Sequence, residues 1–150
     1  MYSAFLLLHS WIRWVAIAAG VIATIAAIRG VSAQDPRADR WGRVLTIALD
    51  VQLVIGLLMY FAVSPVMAGI RANFAAAMPN PQLRFWAVEH VTGMVIALIL
   101  VHVGRVLSRK AVSPAARRTR LMICYGLATL VMLLLTPWPF TAAGRPLFRF

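Results

Sequence analysis

Apolar residues run in four long stretches, about Ala4–Ile28, Val44–Val63, Phe85–Val103 and Leu121–Trp138, separated by shorter connections that carry most of the charge. Each stretch supplies most of the roughly 20 residues needed to cross about 30 Å of hydrocarbon at about 1.5 Å per residue. The pattern predicts an all-α membrane protein: a single domain in which four transmembrane helices form an up-down bundle. The first stretch is too long, and too polar in its opening turns, for a cleaved signal segment, and it lacks a basic leader and an A-x-A site. Gln34-Asp35-Pro36 and Ser113-Pro114 are turn signals that end helical runs. The 64–83 connection contains Pro65, Pro79 and Pro81 together with Met67, Ile70, Phe74 and Met78. That apolar spacing predicts a short interfacial helix capping the bundle. From Pro137 onward, prolines prevent a regular helix, and the tail is expected to lie over the same face.

Composition sharpens this picture. The 150 residues are 62% apolar, against roughly half in soluble domains, and mean hydropathy is +0.83. The net charge of +11 raises nucleic acid as a partner, and its distribution argues against that. Ten of the fifteen Lys/Arg fall in two connections: Arg29, Arg37, Arg40 and Arg43, then Arg105, Arg109, Lys110, Arg117, Arg118 and Arg120. The other side holds Arg71, Arg84, Arg145 and Arg149, with Arg13 inside the first stretch. Such asymmetry is a topology signal, and the basic side would also meet anionic lipid headgroups. It predicts a bacterial inner membrane protein with both termini periplasmic. Trp11, Trp14, Phe85, Trp86, Trp138 and Phe140 all fall toward the outer face as an interfacial belt. The single Cys124 rules out a disulfide framework and reads as a small core residue.

The candidate chemistry lies in two histidines. His9 and His90 each sit five residues inside a stretch that enters from the outer face, which puts both about 7 Å below its start. Imidazoles in hydrocarbon are costly and mark functional sites. Helices one and three are diagonal in an up-down bundle, where cofactor sites are built from facing side chains. The pair is therefore a candidate for both axial ligands of one haem b; hydrogen bonding of each ring across helices is the structural alternative. Gly93 lies about one turn beyond His90, and Gly20 about three turns beyond His9 on its face, where a missing side chain leaves room for a macrocycle. Arg13, one turn from His9, needs a counter-charge, for which Glu89 and a haem propionate are candidates. Arg84 and Arg71 at the outer boundary are further propionate partners.

His102 lies near the opposite face and about 120° round the helix from His90, with no second histidine at its depth for another haem. Asp50, His102 and Arg105 can gather there as a proton-handling or quinone head-group site, or as a structural polar network.

The segments Leu8-His9-Ser10-Trp11-Ile12-Arg13-Trp14, Gln52-Leu53-Val54-Ile55-Gly56-Leu57, Arg84-Phe85-Trp86-Ala87-Val88-Glu89-His90 and Pro137-Trp138-Pro139-Phe140 resemble a family of small four-helix bacterial membrane proteins that carry the label cytochrome b. The resemblance covers nearly the whole chain. It implies that His9 and His90 match the family's histidine positions, with Arg13 and Glu89 beside them. Two-haem b-type cytochromes use more histidines than this chain offers. The expected function is a one-haem electron carrier between a periplasmic redox partner and a quinol or another membrane subunit. The competing expectation is a non-catalytic accessory subunit of a respiratory or photosynthetic membrane complex, packing through its aromatic outer face and the stripe Ala16, Gly20, Ala23, Ala27. A transporter ranks third, since neither broken helices nor an inverted repeat is visible.

Overall fold

The computed structural model describes residues 1–30 and 36–148; the expected Gln34-Asp35 turn and Arg149 lie outside the described residues. The described chain is helical, with no strand among the described residues. Helix α1 (Tyr2–Arg29) is followed by α2 (Arg37–Leu58), which runs on into a π-helical turn, Met59–Val63. Three short helices, α3 (Pro65–Ala72), α4 (Phe74–Ala77) and α5 (Pro81–Arg84), fill the connection where one interfacial helix was expected. Asn73 and Asn80 divide it, each accepting a backbone N–H that starts the next turn. A second π-helical turn, Phe85–Glu89, leads into α6 (His90–Arg109), and α7 spans Pro114–Leu134.

Three of these helical runs, Tyr2–Arg29, Arg37–Val63 and Pro81–Arg109, are long and apolar enough to cross a membrane. The fourth long helix differs from expectation at both ends. Ser113 caps it through the Ala116 N–H at 3.2 Å, so it begins seven residues before Leu121 and its first turns carry Arg117, Arg118 and Arg120. It stops at Leu134, ahead of Trp138, because Pro137 and Pro139 cannot continue the backbone ladder. Its apolar part, Leu121–Leu134, rises only about 21 Å.

Helices α1, α2, α6 and α7 pack in a ring, α1 against α2 and α7, and α6 against α7 and α2. The core they enclose is built mostly of small side chains: Ala16, Ala19, Ala23, Ala27, Ala38, Ala48, Ala97 and Ala128 surround Leu45, Leu49, Val101, Leu121, Tyr125 and Met132. Large apolar side chains instead face outward along every long helix, among them Val15, Ile25, Val54, Ile99, Val106 and Leu130. The Ala16–Ala27 stripe is thus spent inside the chain, where Gly20 faces Thr129 of α7. Three buried hydroxyls are satisfied four residues back along the chain, Thr46 on the Gly42 carbonyl, Thr129 on Tyr125 and, just past the end of α7, Thr136 on Met132, each at 2.7 Å. At the basic end, Arg118 donates to the Ala27 carbonyl at 3.1 Å and also to that of Ile28, supplying partners to the open end of α1. Arg117 pairs with Asp39 of α2. Cys124 is buried against Gly104, as a small core residue should be.

Glycine sets how closely the helices approach. A methyl group at Gly42 would lie 2.1 Å from the Tyr125 hydroxyl, and Tyr125 is 1% exposed with no room to retreat. Gly42→Ala is therefore expected to cost about 1–3 kcal/mol through overpacking. Gly69→Ala, with nothing within 4 Å of the added carbon, is expected to be neutral or slightly stabilising. Thermal unfolding of the two variants in detergent checks the contrast; equal midpoints would contradict the packing described here.

Candidate functional site

Helices α1 and α2, the two π-helical turns, the start of α6 and the tail line one cavity at the end of the helix ring remote from Arg117. It has a volume of about 150 Å³, and His9 and His90 both line it. The rings meet at a centroid separation of 6.3 Å and an interplanar angle of 65°. The turn Phe85–Glu89 precedes His90 directly, and the His90 backbone N–H closes back on the Phe85 carbonyl. Inserted residues of this kind re-aim the side chains that follow. Phe85 and Trp86 lie 5.7 and 5.6 Å from the His90 ring. On the other turn, the Tyr60 hydroxyl donates to the Ala87 carbonyl at 2.8 Å, tying the two turns together.

The two imidazoles are held differently. His90 Nδ1 lies 2.8 Å from the Leu135 carbonyl oxygen, just past the end of α7. A carbonyl only accepts, so Nδ1 carries the proton and, in the neutral ring, Nε2 keeps its lone pair. His9 Nδ1 is buried without a hydrogen-bond partner among the described residues. Its backbone carbonyl accepts from Gln52 Nε2 at 2.9 Å, and α2 passes close beside the ring, because a side chain at Gly56 would begin 3.6 Å from His9 Cε1. Gln52 Oε1 and Trp86 Nε1 are likewise buried without partners.

Other expected site residues fall in different places. Arg13 lines the cavity, but Glu89 is not its counter-charge: Glu89 accepts from Arg84 Nε at 2.7 Å, on the surface. Arg13 donates to the Leu147 carbonyl at 2.7 Å, and Trp14 Nε1 reaches the same oxygen at 3.1 Å. Phe148 stacks on Trp14 with centroids 5.4 Å apart, so the tail lies over the cavity end of the helix ring. Arg84 is half exposed, turned to Glu89, and absent from the cavity lining. Arg71 donates to the Tyr60 carbonyl. Gly93 leaves no room for a ligand, since its missing side chain admits Leu135, whose Cδ1 would lie 1.8 Å from a β-carbon there. Gly20 is filled in the same way by Thr129.

The opposite end holds a separate polar seam between α2 and α6. His102 Nε2 and Asp50 Oδ1 meet at 2.9 Å, with both side chains about half exposed. Arg105 does not join them; it donates to the Thr46 hydroxyl at 3.0 Å and the Gly42 carbonyl at 3.4 Å. The expected three-residue cluster is therefore an Asp50–His102 pair beside an Arg105–Thr46 pair.

Among the described residues, no group of three or more His, Cys, Asp or Glu side chains gathers as it would around a bare metal ion. A macrocycle that brings its own four nitrogens would ask the chain for two ligands, and His9 and His90 are the two histidines that line this cavity. Metal–imidazole bonds of about 2.0–2.1 Å on both sides of one ion space the ring centres roughly 6.3 Å apart. The Leu135 carbonyl supplies the outer partner that orients a ligating histidine. No protein-family model, curated protein or solved structure matches the chain.

The Leu135 bond fixes the His90 tautomer. Imidazole ¹⁵N spectra of the protein without added haem are expected to show His90 as the Nδ1–H form, and His102→Ala is expected to leave that signal in place. An Nε2–H form would remove the lone pair the site depends on.

Proposed function

We propose that this chain is a membrane-embedded, one-haem b-type electron carrier of the bacterial inner membrane, with His9 and His90 as axial ligands. The observation that carries the reading is the 6.3 Å spacing of two imidazoles whose outer nitrogen, on His90, is already committed to a carbonyl. When bound, haem supplies a one-electron iron couple. The chain's own residues orient His90 through the Leu135 carbonyl and shield its ring with Phe85 and Trp86. The cavity beside the two rings has a volume of about 150 Å³. Four methionines line it, Met59, Met67, Met94 and Met132, and their flexible thioethers are the side chains that make way.

Membrane insertion is supported by large apolar side chains facing out from a small-residue core and by buried hydroxyls satisfied within their own helices. In this reading α7 spans as the fourth helix, its basic first turns lying at the lipid headgroups. The ten-to-four distribution of Lys/Arg puts both ends of the chain and the 64–83 connection in the periplasm. A periplasmic redox protein would then exchange electrons at the tail-covered end. Asp50 and His102, in the inner leaflet, are the groups a quinone head would meet.

Protein purified from its native membrane is expected to carry about one haem per chain, with a low-spin reduced-minus-oxidised spectrum. His9→Ala or His90→Ala is expected to abolish that spectrum or convert it to high spin, and His102→Ala to leave it unchanged. Folded wild-type protein purified without haem would overturn the reading in favour of an accessory subunit of a larger membrane complex.

A further inference from the structure

The acid side chains of this protein are few and, among the described residues, already engaged away from the cavity. The chain has four Asp and Glu. Asp39 pairs with Arg117, Asp50 with His102 and Glu89 with Arg84, while Asp35 lies outside the described residues. No acid lines the cavity, yet two arginines do, Arg13 and Arg145. Among the described residues that lining offers Arg145 no acidic side chain, and an arginine in an apolar setting calls for an acceptor.

Arg145 is held there by the tail. Its backbone N–H donates to the Pro137 carbonyl at 3.1 Å, and the bonds from Arg13 and Trp14 to the Leu147 carbonyl fasten the chain two residues further on. Its guanidinium carbon sits 5.3 Å from the centre of the Trp86 ring. Such a contact occupies the face of the guanidinium and leaves its N–H edges free to donate. Trp86 Nε1, on the same ring and buried, has no acceptor. Both side chains line the cavity, and each can only donate.

We propose that Arg145 and the Trp86 indole N–H form a carboxylate clamp at the cavity, selecting a lipophilic planar ligand that carries an acid side arm, the propionate of a tetrapyrrole. This rests on the haem reading for the identity of the ligand, though not for the clamp itself. A fork of donors from a guanidinium matches a carboxylate in two hydrogen bonds, and the indole N–H adds a third. Arg84, the arginine that the sequence suggests for this task, is turned away to Glu89.

The test uses metal-free protoporphyrin IX, which carries both propionates but no iron, and its dimethyl ester, which carries neither charge. Binding of each to the full-length protein purified without added haem is read by porphyrin fluorescence, in nanodiscs. The dicarboxylate is expected to bind the wild type more tightly than the ester. Arg145→Ala is expected to weaken the dicarboxylate about tenfold and leave the ester unchanged, with partial recovery in Arg145→Lys. Trp86→Phe is expected to weaken the dicarboxylate less, and Arg84→Ala not at all. Circular dichroism checks that each variant keeps its helices.

Equal affinity for acid and ester, equal loss for both in Arg145→Ala, or no porphyrin binding by the wild type would each overturn the clamp. The haem reading is separated by adding hemin in parallel. Arg145-dependent porphyrin binding without a low-spin hemin spectrum leaves the clamp standing and removes the axial-ligand reading. A low-spin hemin spectrum with no Arg145 dependence does the reverse.

Discussion

Close approach of helices through glycine and alanine is the constraint on which the rest of this structure depends. Where large apolar side chains point outward, the interior has to be filled by backbones coming near one another. At four contacts a glycine receives a side chain from another part of the bundle: Tyr125 across the ring at Gly42, Leu135 at Gly93, Cys124 at Gly104 and Thr129 at Gly20. The contact at Gly93 also builds the site. It draws the end of α7 against the first turn of α6, and the residue that fills the gap is the one whose carbonyl accepts from His90. Helix packing and the orientation of the His90 ring are thus two consequences of one contact.

The outer end adds a second layer of determination. Both turns beside the cavity are π-helical, and the Tyr60–Ala87 hydrogen bond joins them. Prolines at the end of α7 force the chain to fold back, which brings the Leu147 carbonyl to Arg13 and the Arg145 side chain onto Trp86. The basic end is organised by other means, with guanidinium groups on helix-terminal carbonyls and one ion pair. Its Asp50–His102 pair is half exposed between α2 and α6. Among the described residues, no acidic side chain lines the His9–His90 cavity.

The helical class and the three longest apolar helices were legible because hydropathy over 20 residues is a strong signal. The convergence of His9 and His90 followed from equal depth on diagonal helices, a consequence of topology alone. That the tail leaves the helix and folds back over the bundle end was legible from Pro137, Pro139 and Pro146. Boundaries were less so: α7 starts earlier than Leu121 because Ser113-Pro114 is a helix start as well as a loop signal. The roles of Gly93 and Arg84 were misplaced because each depends on a partner remote in sequence or on local competition, Leu135 for the one and Glu89 for the other. Arg145 was visible only as an outer-face charge, since its place on Trp86 needs the folded tail. Gln52 stood as a lone amide in an apolar run, a signal that could have marked it.

The central claim is that one iron is bound between His9 and His90. Pulsed electron paramagnetic resonance of the ferric protein, grown with ¹⁵N-histidine, counts the histidine nitrogens on the metal directly. The account predicts couplings from two axial imidazoles in the wild type and from one in either His9→Ala or His90→Ala. A low-spin iron whose histidine couplings survive both substitutions, or vanish only in His102→Ala, would contradict it.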